Sequence, residues 1–249
     1  MKRSDPIRIW AVLFWLALWQ LLASEINQSI LIVSPVQVIV RLFQLAVTLT
    51  FWKTVAYSLL RIAAGFIIGT VVGIVLAALS ARFRYVAELL APAMLAIRSI
   101  PVASFIILAL IFFSSKNLAV FISFLMVLPI VYASILEGIR SADTKLLEMA
   151  HLFRVPPLRC VRYVYLPQVL PYFRSACGSA LGLCWKAGIA AEVIGMPTGS
   201  VGERLQQAKI YLDTPDLFAW TLVIVLVSLA FERFFSWLIA LAAKQLERM

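Results

Sequence analysis

The chain has 249 residues, 63% of them apolar and only 14% charged, with 22 Lys and Arg against 12 Asp and Glu and a net charge of +10. A soluble domain of this size runs nearer half apolar and a quarter charged, so lipid is the solvent this composition implies, and the length suits one domain. The basic residues are scattered between apolar runs rather than gathered on one solvated face, which fits the positive-inside rule and speaks against nucleic-acid binding. Cys160, Cys177 and Cys184 have neither CxxC nor metal spacing and are odd in number, so no disulfide framework is expected and they read as small packing residues. His151 is the one histidine, which rules out a multi-histidine metal site. No catalytic centre and no metal site are expected.

In chain order, the basic stretch Met1 to Arg8 followed by the apolar run from Ile9 to Ala23 superficially resembles a signal peptide. No convincing small-x-small cleavage site follows, and Trp10, Trp15 and Trp19 suit a retained transmembrane helix. A span needs about 20 mostly apolar residues. Six stretches qualify: 8–23, 54–79, 86–113, 117–139, 168–195 and 217–242. The fold class expected is therefore all-α, a polytopic membrane bundle of about six transmembrane helices. Residues 1–53 form its first span plus an interfacial helix, 54–242 its core with a loop at 140–167, and 243–249 a tail. The interfacial helix is read from Ser34-Pro35 followed by Val36, Val38, Ile39, Leu42 and Phe43, a capped amphipathic pattern too short to span.

Placing both termini in the cytoplasm puts Lys2, Arg3, Arg8, Arg82, Arg84, Arg140, Lys145, Arg154, Arg159, Arg162, Lys244 and Arg248 inside. It leaves Arg41, Lys53, Lys116, Arg204 and Lys209 outside, an asymmetry in the expected direction. Gly65, Gly69 and Gly73 recur at four-residue steps along the second span, a ridge that lets a neighbouring backbone approach closely. The third span is interrupted at Arg98-Ser99-Ile100-Pro101, where proline removes a donor and disfavours helix just before itself. Broken backbone at membrane depth is tolerated where protein or water surrounds it. Arg98, Ser99 and Pro101 are thus pathway candidates, the alternative being a plain kink with Arg98 near a membrane face.

Residues 140–167 are too charged to cross lipid. Asp143 is a plausible N-cap for a short amphipathic helix carrying Leu146, Leu147, Ala150 and Leu152-Phe153; Pro156-Pro157 ends it, and a second short helix starts beyond. Such a helix–turn–helix on the inner surface is shaped for a partner's groove. In the fifth span, Lys186 and Glu192 are ionisable residues at depth, six apart and on different helix faces. Both remain open to two readings: pathway residues, with Lys186 drawing an anion, or structural ion pairs with Arg61, Arg98 or Glu137 as mates. The glycine-rich run Gly195-Met196-Pro197-Thr198-Gly199-Ser200-Val201-Gly202 lacks the lysine-serine ending of a phosphate loop and reads as a flexible external loop or gate. Asp213-Thr214-Pro215-Asp216 reads as a turn and cap before the last span.

Glu148-Met149-Ala150, three residues, Arg154, nine residues, then Val164-Tyr165-Leu166-Pro167 resembles the cytoplasmic signature of binding-protein-dependent ABC importer permeases. In that family the pattern is Glu-Ala-Ala, three residues, Gly, nine residues, Ile, any residue, Leu-Pro. Met149 stands for an alanine and Arg154 for the turn glycine, so the turn is expected to use another geometry, set by Pro156 and Pro157. The resemblance extends from about residue 52 onward. TVAYSLLRIAAGFIIGTVVGIVLA, the break at Arg98 to Pro101 and ALGLCWKAGIAAEVIG look like the nitrate, sulfonate and taurine importer branch.

This resemblance implies a type I importer permease in the cytoplasmic membrane, paired with a second copy of itself. It also implies two cytoplasmic ATP-binding subunits docked through Glu148, Met149, Ala150, Arg154, Leu166 and Pro167, and an external solute-binding protein. ATP and Mg would be bound by the partner subunits and no cofactor by this chain, in keeping with the lack of any GxxxxGK[ST] stretch. Arg98 and Lys186 tilt the expected solute towards a small anion. Two other classes compete: a stand-alone ion-coupled carrier using Lys186 and Glu192, which ought to show internal repeats, and a non-transporting membrane scaffold.

Overall fold

A computed structural model of the protein describes residues 9–26 and 33–247. Lys2, Arg3, Arg8 and Arg248, used above for orientation, lie outside the described residues. Every regular element among the described residues is a helix: α1 Ile9–Ile26, α2 Pro35–Ala46, α3 Leu49–Arg82, α4 Arg84–Ser99, α5 Val102–Phe112, α6 Ser115–Arg140, α7 Thr144–Leu152, α8 Pro157–Cys160, α9 Leu166–Gly195, α10 Val201–Ile210 and α11 Thr214–Glu247.

Among the described residues four helices are long and apolar enough to cross a membrane, Leu49–Arg82, Ser115–Arg140, Pro157–Gly195 and Thr214–Leu241, and a bent pair makes up to five spans where six are expected. The third of the four joins α8 and α9 through a π-helical turn at Val161–Tyr165. The second short helix expected within 140–167 is therefore the first turn of the fifth span, not a separate element. The span expected at 86–113 is two helices, α4 and α5, bent by 109°. Ile100 is extended ahead of Pro101, whose ring fixes φ at −58°, and neither residue can continue α4. α1 is an apolar helix of 18 residues. α11 continues to Glu247, past the end of its apolar span at Leu241, so most of the segment 243–249 expected as a tail is helical.

The core is a stack of α3, α6 and α9. Gly65, Gly69 and Gly73 are buried against α6, and a Cβ on Gly65 would stand 2.5 Å from the Val120 carbonyl oxygen. The expected ridge is thus a backbone-to-backbone seam. Polar groups tie the same helices: Tyr132 Oη donates to Ser80 Oγ at 3.0 Å and Ser123 Oγ to the Cys184 carbonyl at 3.3 Å. Cys177 and Cys184 are buried packing residues.

α2 starts as expected, with Ser34 and Gln37 in a reciprocal capping box and Pro35 in the first turn. Its Arg41 forms an ion pair with Asp216 at the start of α11, so the interfacial helix is anchored to the last span. α7 lies at one end of the bundle, the loop end, and α2 and α10 lie at the other, the far end.

Candidate functional site

At the loop end, Asp143 caps α7 as expected, accepting from the Lys145 N–H at 2.9 Å. Its own N–H donates to Gln168 Oε1 at 2.8 Å, which pins α7 to the start of α9. Ala150 is buried, whereas Glu148 and Met149 are exposed. The turn after α7 corrects the expectation of another geometry. Arg154 has φ +51°, the left-handed conformation the glycine would supply. The Arg154 N–H bonds the His151 carbonyl at 3.0 Å and the Val155 N–H the Ala150 carbonyl at 2.9 Å, the paired bonds of a Schellman cap. Pro156 and Pro157 come after this turn and start α8 rather than set it. Beside it lies an open cleft of 630 Å³ lined by Met149, Phe153, Arg154, Arg159 and Tyr163. Leu152, Phe153 and Leu158 are each more than 70% exposed. Leu166 is half-buried and Pro167 exposed, both in the first turn of α9.

At the α4–α5 break, Arg98 turns back onto the protein, its Nη2 donating to the Pro129 carbonyl at 2.6 Å. Ser99 Oγ bonds the Leu95 carbonyl of its own helix at 2.9 Å, and Pro101 leads into α5. These bonds occupy the side chains of Arg98 and Ser99 with backbone oxygens near the bend.

Glu192 lies at the far end of α9 with no exposed surface. Ser58 Oγ donates to Glu192 Oε2 at 2.6 Å and the Gly202 N–H to the same oxygen at 3.3 Å, while Ser58 Oγ accepts from the Val201 N–H at 2.9 Å. Together with Ser200, which accepts from the Glu203 N–H, Ser58 and Glu192 take up the first N–H groups of α10. The positive end of the α10 dipole then faces the carboxylate. The run 195–202 is therefore bolted to α3 and α9 rather than loose. A Cβ on Gly202 would come within 2.5 Å of the Glu192 backbone. Glu192 Oε1 and Arg61 Nη1 are buried with no hydrogen-bond partner among the described residues. Arg61 acts on Glu192 through its charge and lies over the Tyr57 ring at 4.4 Å. Of the mates considered for Glu192, Arg61 is the one brought near it.

Lys186 is exposed on α9 and makes no hydrogen bond or ion pair to another described residue. Glu232 of α11, half-buried and likewise without such a partner, is an acid that sequence reasoning missed. Its Oε1 fills the notch at Gly182, 3.0 Å from where a Cβ would be. The signal for it is an acid embedded in the apolar run from Leu217 to Leu241.

Residues 69–248 match the family described as "Binding-protein-dependent transport system inner membrane component". Over 189 residues the chain is 29% identical to a bicarbonate transport system permease protein, CmpB, of Synechococcus elongatus, an alignment covering 76% of this chain and 68% of that one. It is 27% identical over 213 residues to a nitrate import permease protein, NrtB, of Leptolyngbya laminosa, covering 81% and 74%. The fold matches a chain from the crystal structure of an amino acid ABC transporter with a TM-score of 0.60 at 20% identity, covering 79% of this chain and 94% of that one.

Proposed function

Because the chain belongs to the family of inner-membrane components of binding-protein-dependent transport systems, we propose that it is the permease subunit of an ATP-driven importer for a small anionic or organic solute. The observation that carries this reading is the loop end: a pinned helix, a tight turn and the apolar side chains of Leu152, Phe153 and Leu158 left uncovered beside a cleft. Apolar tips around a concave surface suit a protein partner's groove. The excess of Lys and Arg supports a cytoplasmic loop end with both termini on the same side. The partners are two ATP-binding subunits that hold ATP and Mg, a second copy of this chain and an external solute-binding protein. The relatives named for bicarbonate and nitrate transport support a small solute with an anionic group.

In this reading exposed Glu148 and Met149 meet the ATP-binding subunit, Ala150 seats α7 on the bundle, Arg154 shapes the turn, and Leu166 with Pro167 begins the lever. The continuous helix Pro157–Gly195 leads from the loop to Lys186, and from there to Glu192 and α10. Drawing the loops together tilts that helix as a rigid body and switches access. Replacing Glu148 with Lys is expected to abolish ATP-dependent uptake and weaken co-purification of the ATP-binding subunit. Unchanged uptake and assembly in that variant would sink the reading, as would uptake that persists in vesicles without ATP.

A further inference from the structure

Lys186 and Glu232 lie on a polar seam where α9 and α11 meet. Trp185 of α9 packs on Phe231 with ring centroids 5.6 Å apart and the rings tilted by 36°, and its Nε1 donates to the Ile224 carbonyl at 3.1 Å, so the two helices are in register there. Beside this contact α9 exposes Ser175, Ser179 and Lys186, with Gly182 half-buried between them. The matching face of α11 carries Thr221, Ser228, Glu232 and Ser236 at steps of seven, four and four residues. Gly182 is roughly 20 Å along α9 from its far end at Gly195, and roughly 15 Å from Tyr172, at 1.5 Å rise per residue. Tyr172 marks the loop end, because its hydroxyl is 3.0 Å from Ser141 Oγ. The seam is therefore at mid-depth, where an ionised side chain facing lipid is strongly disfavoured. Two opposite charges lie there with no hydrogen-bond or ion-pair partner among the described residues, one turn of α9 apart.

We propose that this seam lines the solute pathway and that Lys186 and Glu232 form a selectivity pair for a zwitterionic solute, Lys186 receiving its anionic group and Glu232 its cationic one. The notch at Gly182 leaves room for the carboxylate. A bare anion meets Glu232 as a like charge and is disfavoured. This inference rests on the permease reading and narrows its solute.

The test replaces Cys160, Cys177 and Cys184 with alanine in the assembled transporter in membranes, then introduces Ser179→Cys or Ser228→Cys. Each is labelled with an anionic sulfonatoethyl and a cationic trimethylammonioethyl methanethiosulfonate. Both reagents are expected to react at comparable rates. Lys186→Gln should lower the anionic-to-cationic rate ratio, and Glu232→Gln raise it, by roughly five- to sixfold, because a unit charge about 8 Å away in water changes the two rates by roughly two- to threefold each in opposite directions. β-Alanine should slow labelling more than propionate, which lacks the ammonium group, and Glu232→Gln should cancel that difference. Inert cysteines with ATP-dependent transport intact would overturn the seam alone. Labelling that neither charge change alters, or equal or absent protection by the two solutes, would overturn the selectivity pair. Labelling in a chain whose transport ignores ATP would overturn the permease reading instead.

Discussion

The glycine ridge of α3 gives a graded prediction. A Cβ on Gly65 would stand 2.5 Å from the Val120 carbonyl oxygen and 2.6 Å from Ser123 Cβ. Those atoms belong to or adjoin the α6 backbone and cannot swing aside. On Gly69 the nearest atom is Val127 Cβ at 2.9 Å with the Phe124 oxygen at 3.0 Å, and on Gly73 the contacts are looser, Val131 Cβ and Cγ1 at 3.1 Å and the Leu128 carbonyl oxygen at 3.3 Å. Overpacking a tight contact is destabilising by about 1–3 kcal/mol, while alanine in place of helical glycine returns about 1 kcal/mol. The net expectation is a loss of about 2 kcal/mol for Gly65→Ala, about 1 for Gly69→Ala and nearly none for Gly73→Ala. At roughly 2–4 °C per kcal/mol for a chain of this size, the midpoints should fall in that order. They can be followed by tryptophan fluorescence of the detergent-solubilised protein during heating. Equal losses at the three positions, or Gly73→Ala as the worst, would refute the backbone-to-backbone account of the α3–α6 seam.

Arg154→Gly should relieve the left-handed strain and stabilise the loop by about 1 kcal/mol, read as slower amide exchange at Val155. Arg154→Ala, which keeps the strain, should not. Glu192→Ala strands the Ser58 hydroxyl and the Gly202 N–H, each worth about 1–3 kcal/mol when buried without a partner. Glu192→Gln keeps an acceptor, so its thermal midpoint should fall less than that of the alanine variant. The ion pair of Arg41 with Asp216 raises the Arg41 pKa above the usual guanidinium value, chiefly through the hydrogen bond to Asp216. A raised pKa contributes stability that is complete below the unfolded value and lost only as pH climbs past the folded one. Titrating Arg41 should therefore leave thermal stability flat between about pH 6 and 9. Asp216→Asn should remove no more than about 1 kcal/mol, since the pair is partly exposed, measured as a small midpoint shift.

Composition and periodicity carried the all-helical bundle, the cap of α2 at Ser34, the cap of α7 at Asp143 and the glycine ridge, because each depends on residues near in sequence. The bend between α4 and α5 was legible as a break at Pro101 but not as a 109° turn, since a proline fixes where a helix stops and leaves the next helix's direction to packing. The turn at Arg154 was misread for a related reason. Conformational preference disfavours a left-handed arginine, yet two backbone hydrogen bonds and the seat of Ala150 outweigh the strain. The grip of Glu192 on α10 was invisible because Ser58 lies 134 residues away in the chain.

The separation of Lys186 and Glu192 shows how helix geometry sorts two charges with similar sequence signals. Six residues turn an α-helix through about 240° net of full turns, so when one of the pair faces the bundle the other is carried well away from it. On α9 the face of Ala191 and Glu192 packs into the bundle, and the carboxylate finds Ser58, the α10 N–H groups and the field of Arg61. The ammonium is left on the exposed sector beside α11, where the nearest acid by helix register is Glu232. A buried carboxylate with fixed hydrogen bonds is suited to hold α10 in place and poorly suited to receive a mobile solute. An exposed lysine at mid-depth is the reverse. Of the two residues that sequence alone left equivalent, Lys186 is the one the fold leaves free to meet a substrate, and Glu232 takes the acidic role that Glu192 cannot fill.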